Sequence, residues 1–496
     1  MRPNVLIITV DALRADRVGV LGGKDLTPHV DDFASDAAVF SNAYTTAPAT
    51  DPAVTTVQTG RYPLSHGIVN HGWEVTEKEK RAVESVPQLQ ELFADAGYHT
   101  FKLGRPLGRW HRKGFDRYPM AAESREAFDR NVKARKTKRT VKSVLSSVDP
   151  RVGQKARELY KDVTGSWEAT PGEEESADEL VASFEEVVGD QSPFYGFVHL
   201  MDTHAPYTAP PETVSSYLDR FDYDVRPGVG VTEKIPQAFH RAVTSGEYPE
   251  IAEKYYYPDD EPSTAVADAC YDASVTRADG RIGRLLELLR EHDRYDETLV
   301  VVLADHGESL TEHGIYYAHH GLYDVSVHVP LLIKPPEGTD VTVEDYVQLT
   351  DVAPTVASYT DVDGLSPDGR SLEPAIEDGE SVDREFVVAD EAHTQRRRMV
   401  RTRDEKLIYL VDGDTICRYC EIQHAPEKEL YDLEADPLEE VNGAGDHPDR
   451  VVELRERGDT AAEEFRGRRR DDDGDADITY EDEDEIHDRL EALGYR

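Results

Sequence analysis

Leu299-Val300-Val301-Val302-Leu303-Ala304-Asp305-His306-Gly307-Glu308 is the stretch that decides the fold. The run from Leu299 to Leu303 is apolar and mostly β-branched, with no polar alternation. It predicts a strand buried on both faces, as in a parallel sheet. The run stops abruptly at Asp305-His306, and Gly307 permits a tight turn. A carboxylate and an imidazole at a strand end pack poorly but suit a divalent metal. Asn4-Val5-Leu6-Ile7-Ile8-Thr9-Val10-Asp11 repeats the pattern at the start of the chain. An Asp after a strand is often only a helix N-cap. With Asp305 and His306 present, a metal site at the carboxyl edge of a parallel sheet is the better reading of Asp11.

Strands are expected near residues 4–10, 98–103, 194–200, 298–304 and 329–333. Helical patterns fall between them, near 52–60, 86–96, 176–188 and 267–289. Val275, Ile282, Leu285, Leu286 and Leu289 form the apolar face of the last of these. The alternation predicts an α/β fold with a doubly wound, mostly parallel sheet flanked by helices. After about residue 385 short strands follow: 399–402, 406–410 and 415–416. They predict a smaller α+β subdomain over 386–496, next to a catalytic domain over 1–385. Asp471-Asp472-Asp473-Gly474-Asp475 reads as a solvated linker, and Leu490, Leu493 and Tyr495 as the docking face of a last helix.

Lys+Arg total 56 against 100 Asp+Glu, a formal charge of −44. Such a balance opposes nucleic-acid binding and suits a halophilic origin, where dense carboxylates keep a surface hydrated in salt. No apolar stretch reaches membrane-spanning length. Met1-Arg2-Pro3-Asn4 runs straight into the first strand, so a cytoplasmic location is expected. Of the cysteines Cys270, Cys417 and Cys420, the last two form a CxxC with His424 nearby. No second CxxC completes a zinc set, so a reduced surface pair is expected over structural zinc. Two insertions, about 120–175 and 208–265, interrupt the pattern. The first holds a basic island, Asn131 to Arg139, read as a solvated helix before an anion clamp.

Taken together, these residues resemble the sulfatase family of the alkaline phosphatase superfamily. The likeness rests on Asn4 to Asp16, Thr27-Pro28-His29-Val30-Asp31 with Phe40 to Tyr44, and Thr59-Gly60-Arg61-Tyr62-Pro63. It continues in His199-Leu200-Met201-Asp202-Thr203-His204-Ala205-Pro206-Tyr207, His319-His320-Gly321-Leu322-Tyr323-Asp324 and Glu429 to Pro437. The resemblance implies a metal-dependent hydrolase, or transferase, of phosphate or sulfate esters on a small molecule, glycan or lipid. It implies a metal held by Asp11, Asp305 and His306 with the Thr50 hydroxyl. Oxygen-rich coordination with one imidazole suits Ca²⁺, Mg²⁺ or Mn²⁺, with Zn²⁺ also admissible. A second carboxylate that the family places after the first is Ala12 here.

The nucleophile position departs from the family. Sulfatases carry Cys or Ser in a Cys/Ser-x-Pro-x-Arg motif and oxidise it to formylglycine. The equivalent stretch here is Thr50-Asp51-Pro52-Ala53-Val54. A secondary alcohol cannot become an aldehyde, so no formylglycine is expected and phosphate esters are favoured over sulfate. The bland reading of Thr50 is a helix N-cap; the functional one is a nucleophile that forms a phospho-enzyme. By the same resemblance, His204 serves the leaving group as a proton donor, against a structural role. His319 and His320 contact substrate oxygens or, with Asp202, hold a second metal; the sequence leaves both open. Arg105 faces substrate, although Gly108-Arg109-Trp110-His111 offers a rival register. Arg14 and Asp16 brace the first turn. The competing reading is a degenerate member that binds an anionic ligand without turnover, in keeping with Val54 in place of the motif Arg.

Overall fold

The computed structural model describes residues 2–119, 177–190, 193–223 apart from 206 and 208, 264–418 apart from 311 and 316, and 423–469. The basic island, the acidic linker, the terminal segment and Cys420 lie outside the described residues.

Seven strands form the main sheet: β1 (Asn4–Val10), β2 (Ala38–Tyr44), β3 (His99–Gly104), β4 (Phe194–Leu200), β5 (Thr298–Ala304), β6 (Leu331–Lys334) and β7 (Val341–Gln348). β1 and β5 are buried at every position. They sit at the centre of the order β3-β4-β1-β5-β6-β2-β7. Continuous apolar runs end up here because both faces of the strand are covered. β1 is parallel to β4 and to β5, with Val10 opposite Ala304. That register places Asp11 and Asp305 side by side at the same edge.

The sheet is mostly but not wholly parallel. β6 runs antiparallel to both β5 and β2. β2 and β7, paired with each other, were not foreseen as strands. The reversal at β6 has a local cause. Only 26 residues of chain separate the end of β5 from the start of β6, and the described ones form loop, one 3-10 turn (Glu312–Gly314) and one short α-helix (Asp324–Val327). A parallel return needs a full crossover, usually a longer helix.

Helix Thr264–Glu291 packs against helices Pro28–Phe33, Ala177–Asp190 and Pro211–Arg220; helix Thr50–Thr59 packs against Leu89–Ala96 and Val352–Thr360. Among the described residues no helix is long and apolar enough to cross a membrane.

A second, antiparallel sheet has the order β11-β10-β9-β8: β8 (Val387–Glu391), β9 (Arg397–Arg401), β10 (Glu405–Leu410) and β11 (Lys428–Asp432). Residues 415–416 are not a strand; Ile416 makes only an isolated bridge to Gln423. Helix Pro448–Gly467 lies on β9 and β10. Gly458 is its contact point: a Cβ there would sit 2.5 Å from Val400 Cγ2. Cys417 corrects the surface expectation, because it is fully buried.

Candidate active site

The carboxyl ends of β1, β4 and β5 meet in one buried cluster. His199 on β4 stands opposite Thr9 of β1. Asp11 follows two residues after Thr9, so both side chains come to the same side. His199 Nε2 is 3.5 Å from Asp11 Oδ2 and 3.8 Å from Asp305 Oδ2. His306 Nε2 lies 3.8 Å from a carboxylate oxygen of each Asp. The ligand atoms of Asp11, His199 and Asp305 all fall within 4.8 Å of one another.

Thr50 completes the cluster. The helix starts at Thr50 rather than Pro52, with Ala49 as its N-cap. The Thr50 hydroxyl therefore caps nothing. It donates to Asp11 Oδ2 at 3.1 Å and lies 3.4 Å from His306 Nε2. His306 Nδ1 is 2.8 Å from the Gly307 carbonyl, which can only accept. That contact puts the ring hydrogen on Nδ1 and leaves the Nε2 lone pair facing Thr50 and the carboxylates.

Two backbone features hold this geometry. Gly307 is needed for close approach rather than for a positive φ: a Cβ there would lie 2.1 Å from the Val325 carbonyl oxygen. Ala12 occupies the left-handed region at φ 59, a conformation that costs a non-glycine residue roughly 1 kcal/mol. In return its N–H reaches Asp305 Oδ1 at 3.3 Å, and its carbonyl accepts from Tyr271 Oη at 2.6 Å.

The cluster fits a cation. Asp11 Oδ1, Asp305 Oδ2 and both nitrogens of His199 are buried with no hydrogen-bond partner. Buried carboxylate oxygens left bare are costly unless a positive charge meets them. Burial alone would raise the Asp11 carboxyl. His204, His306, His199 and Arg105 outweigh it and hold the carboxyl at about 2, so Asp11 is anionic at neutral pH. Asp11, Asp305, His199, His306 and Thr50 are the residues that would hold a divalent metal.

The other expected residues are placed as follows. His204 is half-buried and among the imidazoles that depress Asp11. Arg105 is exposed at the end of β3; its N–H reaches the His199 carbonyl at 3.4 Å, and its charge acts on Asp11 and His71. The rival Arg109 pairs with Glu77 instead. His319 lies beside His306, with ring centroids 4.5 Å apart and the rings tilted by 39°, while His320 lies beyond it, 6.3 Å from His319. Asp202 is not brought into the cluster. Its two oxygens bind Arg277 at 2.8 Å and Arg281 at 2.7 Å, so it anchors the long helix. Arg14 pairs with Asp16 at 2.7 Å and Glu312 at 2.8 Å.

Sequence reasoning missed His199. The signal for His199 was available: a lone imidazole inside an otherwise apolar, fully buried strand.

Comparison with known proteins shows the family. An arylsulfatase of Clostridium perfringens is 25% identical over 92% of this chain and 93% of its own. A multifunctional alkaline phosphatase superfamily protein of Trinickia caryophylli is 24% identical over 90% of this chain and 92% of its own. The crystal structure of a phosphonate monoester hydrolase of Agrobacterium radiobacter shares the fold with a TM-score of 0.64. It covers 94% of this chain and 96% of that one at 20% identity. The sulfatase family model matches residues 3–362, so this chain belongs to the sulfatase family, hydrolases of the alkaline phosphatase superfamily.

Proposed function

We propose that this chain is a divalent-metal-dependent hydrolase, or transferase, of phosphate-type esters in which the Thr50 oxygen is the nucleophile. The observation that carries this is the Thr50 hydroxyl, 3.1 Å from Asp11 Oδ2 and 3.4 Å from His306 Nε2, facing carboxylate oxygens with no protein partner. A divalent cation bound there would supply the charge that favours the deprotonated hydroxyl and draws in the anionic ester.

Asp11 accepts the Thr50 hydrogen bond and fixes the direction of its oxygen. Thr50 is the first residue of its helix, so the positive end of the helix dipole lies beside it and favours ester oxygens. The Thr50 oxygen forms a bond to phosphorus as the bond to the leaving oxygen breaks, and His204 protonates that oxygen. Water, or another acceptor, then releases the phosphoryl group from Thr50.

Phosphate is favoured over sulfate because a threonine alcohol oxidises only to a ketone, which closes the formylglycine route. Two imidazoles rather than one, with His199 the second, move the preferred ion towards Mn²⁺ or Zn²⁺ and away from Ca²⁺. The test is a panel of aryl phosphate monoesters, phosphate diesters, phosphonate monoesters and an aryl sulfate, each with Mn²⁺ or Zn²⁺ in high salt. Phosphorus esters should turn over faster. Faster turnover of the sulfate would overturn the ordering, and no turnover at all would favour an anion-binding protein.

A further inference from the structure

A phosphorus ester brings negative charge to a site with little positive charge to spare. A divalent ion between Asp11 and Asp305 would do no more than balance two carboxylates. Helix Thr50–Thr59, which presents the hydroxyl, carries no basic residue. Arg105 is a cation, but an exposed one that water and salt screen. One further group stands beside the start of the helix. His71 comes just before the turn Gly72–Glu74 and is bonded to Asp51, the residue next to Thr50.

The geometry of this pair is specific. His71 Nδ1 lies 3.0 Å from Asp51 Oδ2, which also accepts from the Gly72 N–H at 2.7 Å. A carboxylate only accepts, so a hydrogen stands on Nδ1. The Asp51 N–H is 3.4 Å from the same nitrogen, a longer contact that the carboxylate outcompetes. The loop around His71 is held in advance. Buried Glu79 accepts from the N–H groups of Val69 and Asn70, both at 2.9 Å, and of Thr76 at 2.7 Å. The His71 side chain nevertheless keeps 29% of its surface exposed, so the pair opens to solvent rather than into the core.

The groups that act on the ring come from several elements. Asp51 stands on the helix, Asp11 at the end of β1 and Arg105 at the end of β3. The His319 and His393 rings are nearly edge-on to it, each with its centroid 6.1 Å away. Burial alone would lower the pKa of His71. Asp51 and Asp11 outweigh burial and the opposing Arg105, and raise it above the ordinary value. The second proton then sits on Nε2, across the ring from Asp51.

We infer that His71, with Asp51 behind it, is a substrate-binding residue whose Nε2–H donates to a non-bridging oxygen of the ester while Thr50 faces the phosphorus. The inference rests on the reading of this site as one for phosphorus esters. A charged donor on an anionic oxygen makes one of the stronger hydrogen bonds. A neutral His71 bonded to Asp51 through Nδ1–H would turn a lone pair towards the same oxygen and repel it. Asp51 is therefore the positioning residue that keeps the ring charged and oriented.

The test is oxyanion binding by the Zn²⁺-loaded full chain, with inorganic phosphate as the probe. His71→Gln keeps a polar side chain without the charge. It should raise the phosphate Kd by at least ~10-fold in calorimetric titration, the lower end expected for a hydrogen bond to a charged group. Asp51→Asn should shift Kd in the same direction, since it keeps the shape and removes the charge that favours the protonated ring. For an aryl phosphate diester, KM should rise in step with Kd while kcat changes less. Equal phosphate affinity in wild type and His71→Gln would overturn the inference. Phosphate soaked into wild-type crystals decides the matter if a variant does not fold. An oxygen within hydrogen-bond reach of His71 Nε2 is expected, and phosphate bound elsewhere, or not at all, would overturn it. Phosphate binding that depends on His71 in a wild type that hydrolyses no ester would contradict the Thr50 reading and leave His71 standing. Ester hydrolysis unaffected by His71→Gln would do the reverse.

Discussion

At the scale of single residues, the site is defined by what is left unbonded. Most buried polar atoms find partners. Asp11 Oδ1, Asp305 Oδ2 and the His199 nitrogens do not, and they lie together. Asp11, Asp305 and His306 were legible in the sequence because each ends an apolar run where packing would not choose a charged or polar group. Thr50 was legible only through the motif that surrounds it. His199 was quoted in a motif but given no role, since a single imidazole in a strand is usually structural. Its geometry yields a sharp expectation. His199→Ala should weaken Mn²⁺ or Zn²⁺ binding by at least ~10-fold in calorimetric titration, the size of effect expected even for groups behind the ligands. Unchanged affinity would remove His199 from the ligand set. Asp202 shows the opposite failure: its acidic side chain sat in the right motif, yet two arginines of a distant helix hold it, and no local pattern announces such a pairing.

At the scale of elements, the buried strands were readable and the half-buried ones were not. β1, β4 and β5 matched their expected bounds to the residue, because continuous apolar runs have few alternative structures. β2 and β7 mix polar and apolar residues without clean alternation, Phe40-Ser41-Asn42 and Val343-Glu344-Asp345 for example, and escaped notice. The second sheet is fastened to the first by charge as well as by packing. Asp324, at the start of the short helix after β5, binds Lys406 of β10 at 2.8 Å and Arg401 of β9 at 3.1 Å. Burial alone would raise the Asp324 carboxyl, but Lys406 and Arg401 outweigh it and hold it well below the usual carboxylate range. A carboxyl depressed in the folded state contributes stability above its unfolded pKa, about 3.9, and loses it as pH falls below that. Asp324→Asn should therefore lower Tm clearly at pH 7, by an amount equivalent to roughly 3 kcal/mol. Lys406 keeps Glu439 at 2.6 Å, which limits the loss. The gap between variant and wild type should narrow as pH falls from about 4 towards 2 in thermal melts. A gap that stays constant with pH would show that the pair does not fasten the sheets.

At the scale of the whole molecule, the fold converges on one hydroxyl. β1, β4 and β5 bring Asp11, His199, Asp305 and His306 to one edge, and the helix Thr50–Thr59 presents its first residue to them. The α/β class and the smaller second sheet could be read from the alternation of patterns, because that alternation is a property of the entire chain. The central claim is that the Thr50 oxygen does the chemistry, and the most direct measurement compares Thr50→Ala with wild type on an aryl phosphate ester at matched metal and salt. The fold should survive, since Ala49 rather than Thr50 is the N-cap and the change removes only a hydroxyl and a methyl group. Thr50→Ala should lower kcat by at least ~1000-fold, as loss of a nucleophile does in other hydrolases, while Thr50→Ser keeps substantial activity. A rate for Thr50→Ala equal to wild type would contradict the account and transfer the attack to water.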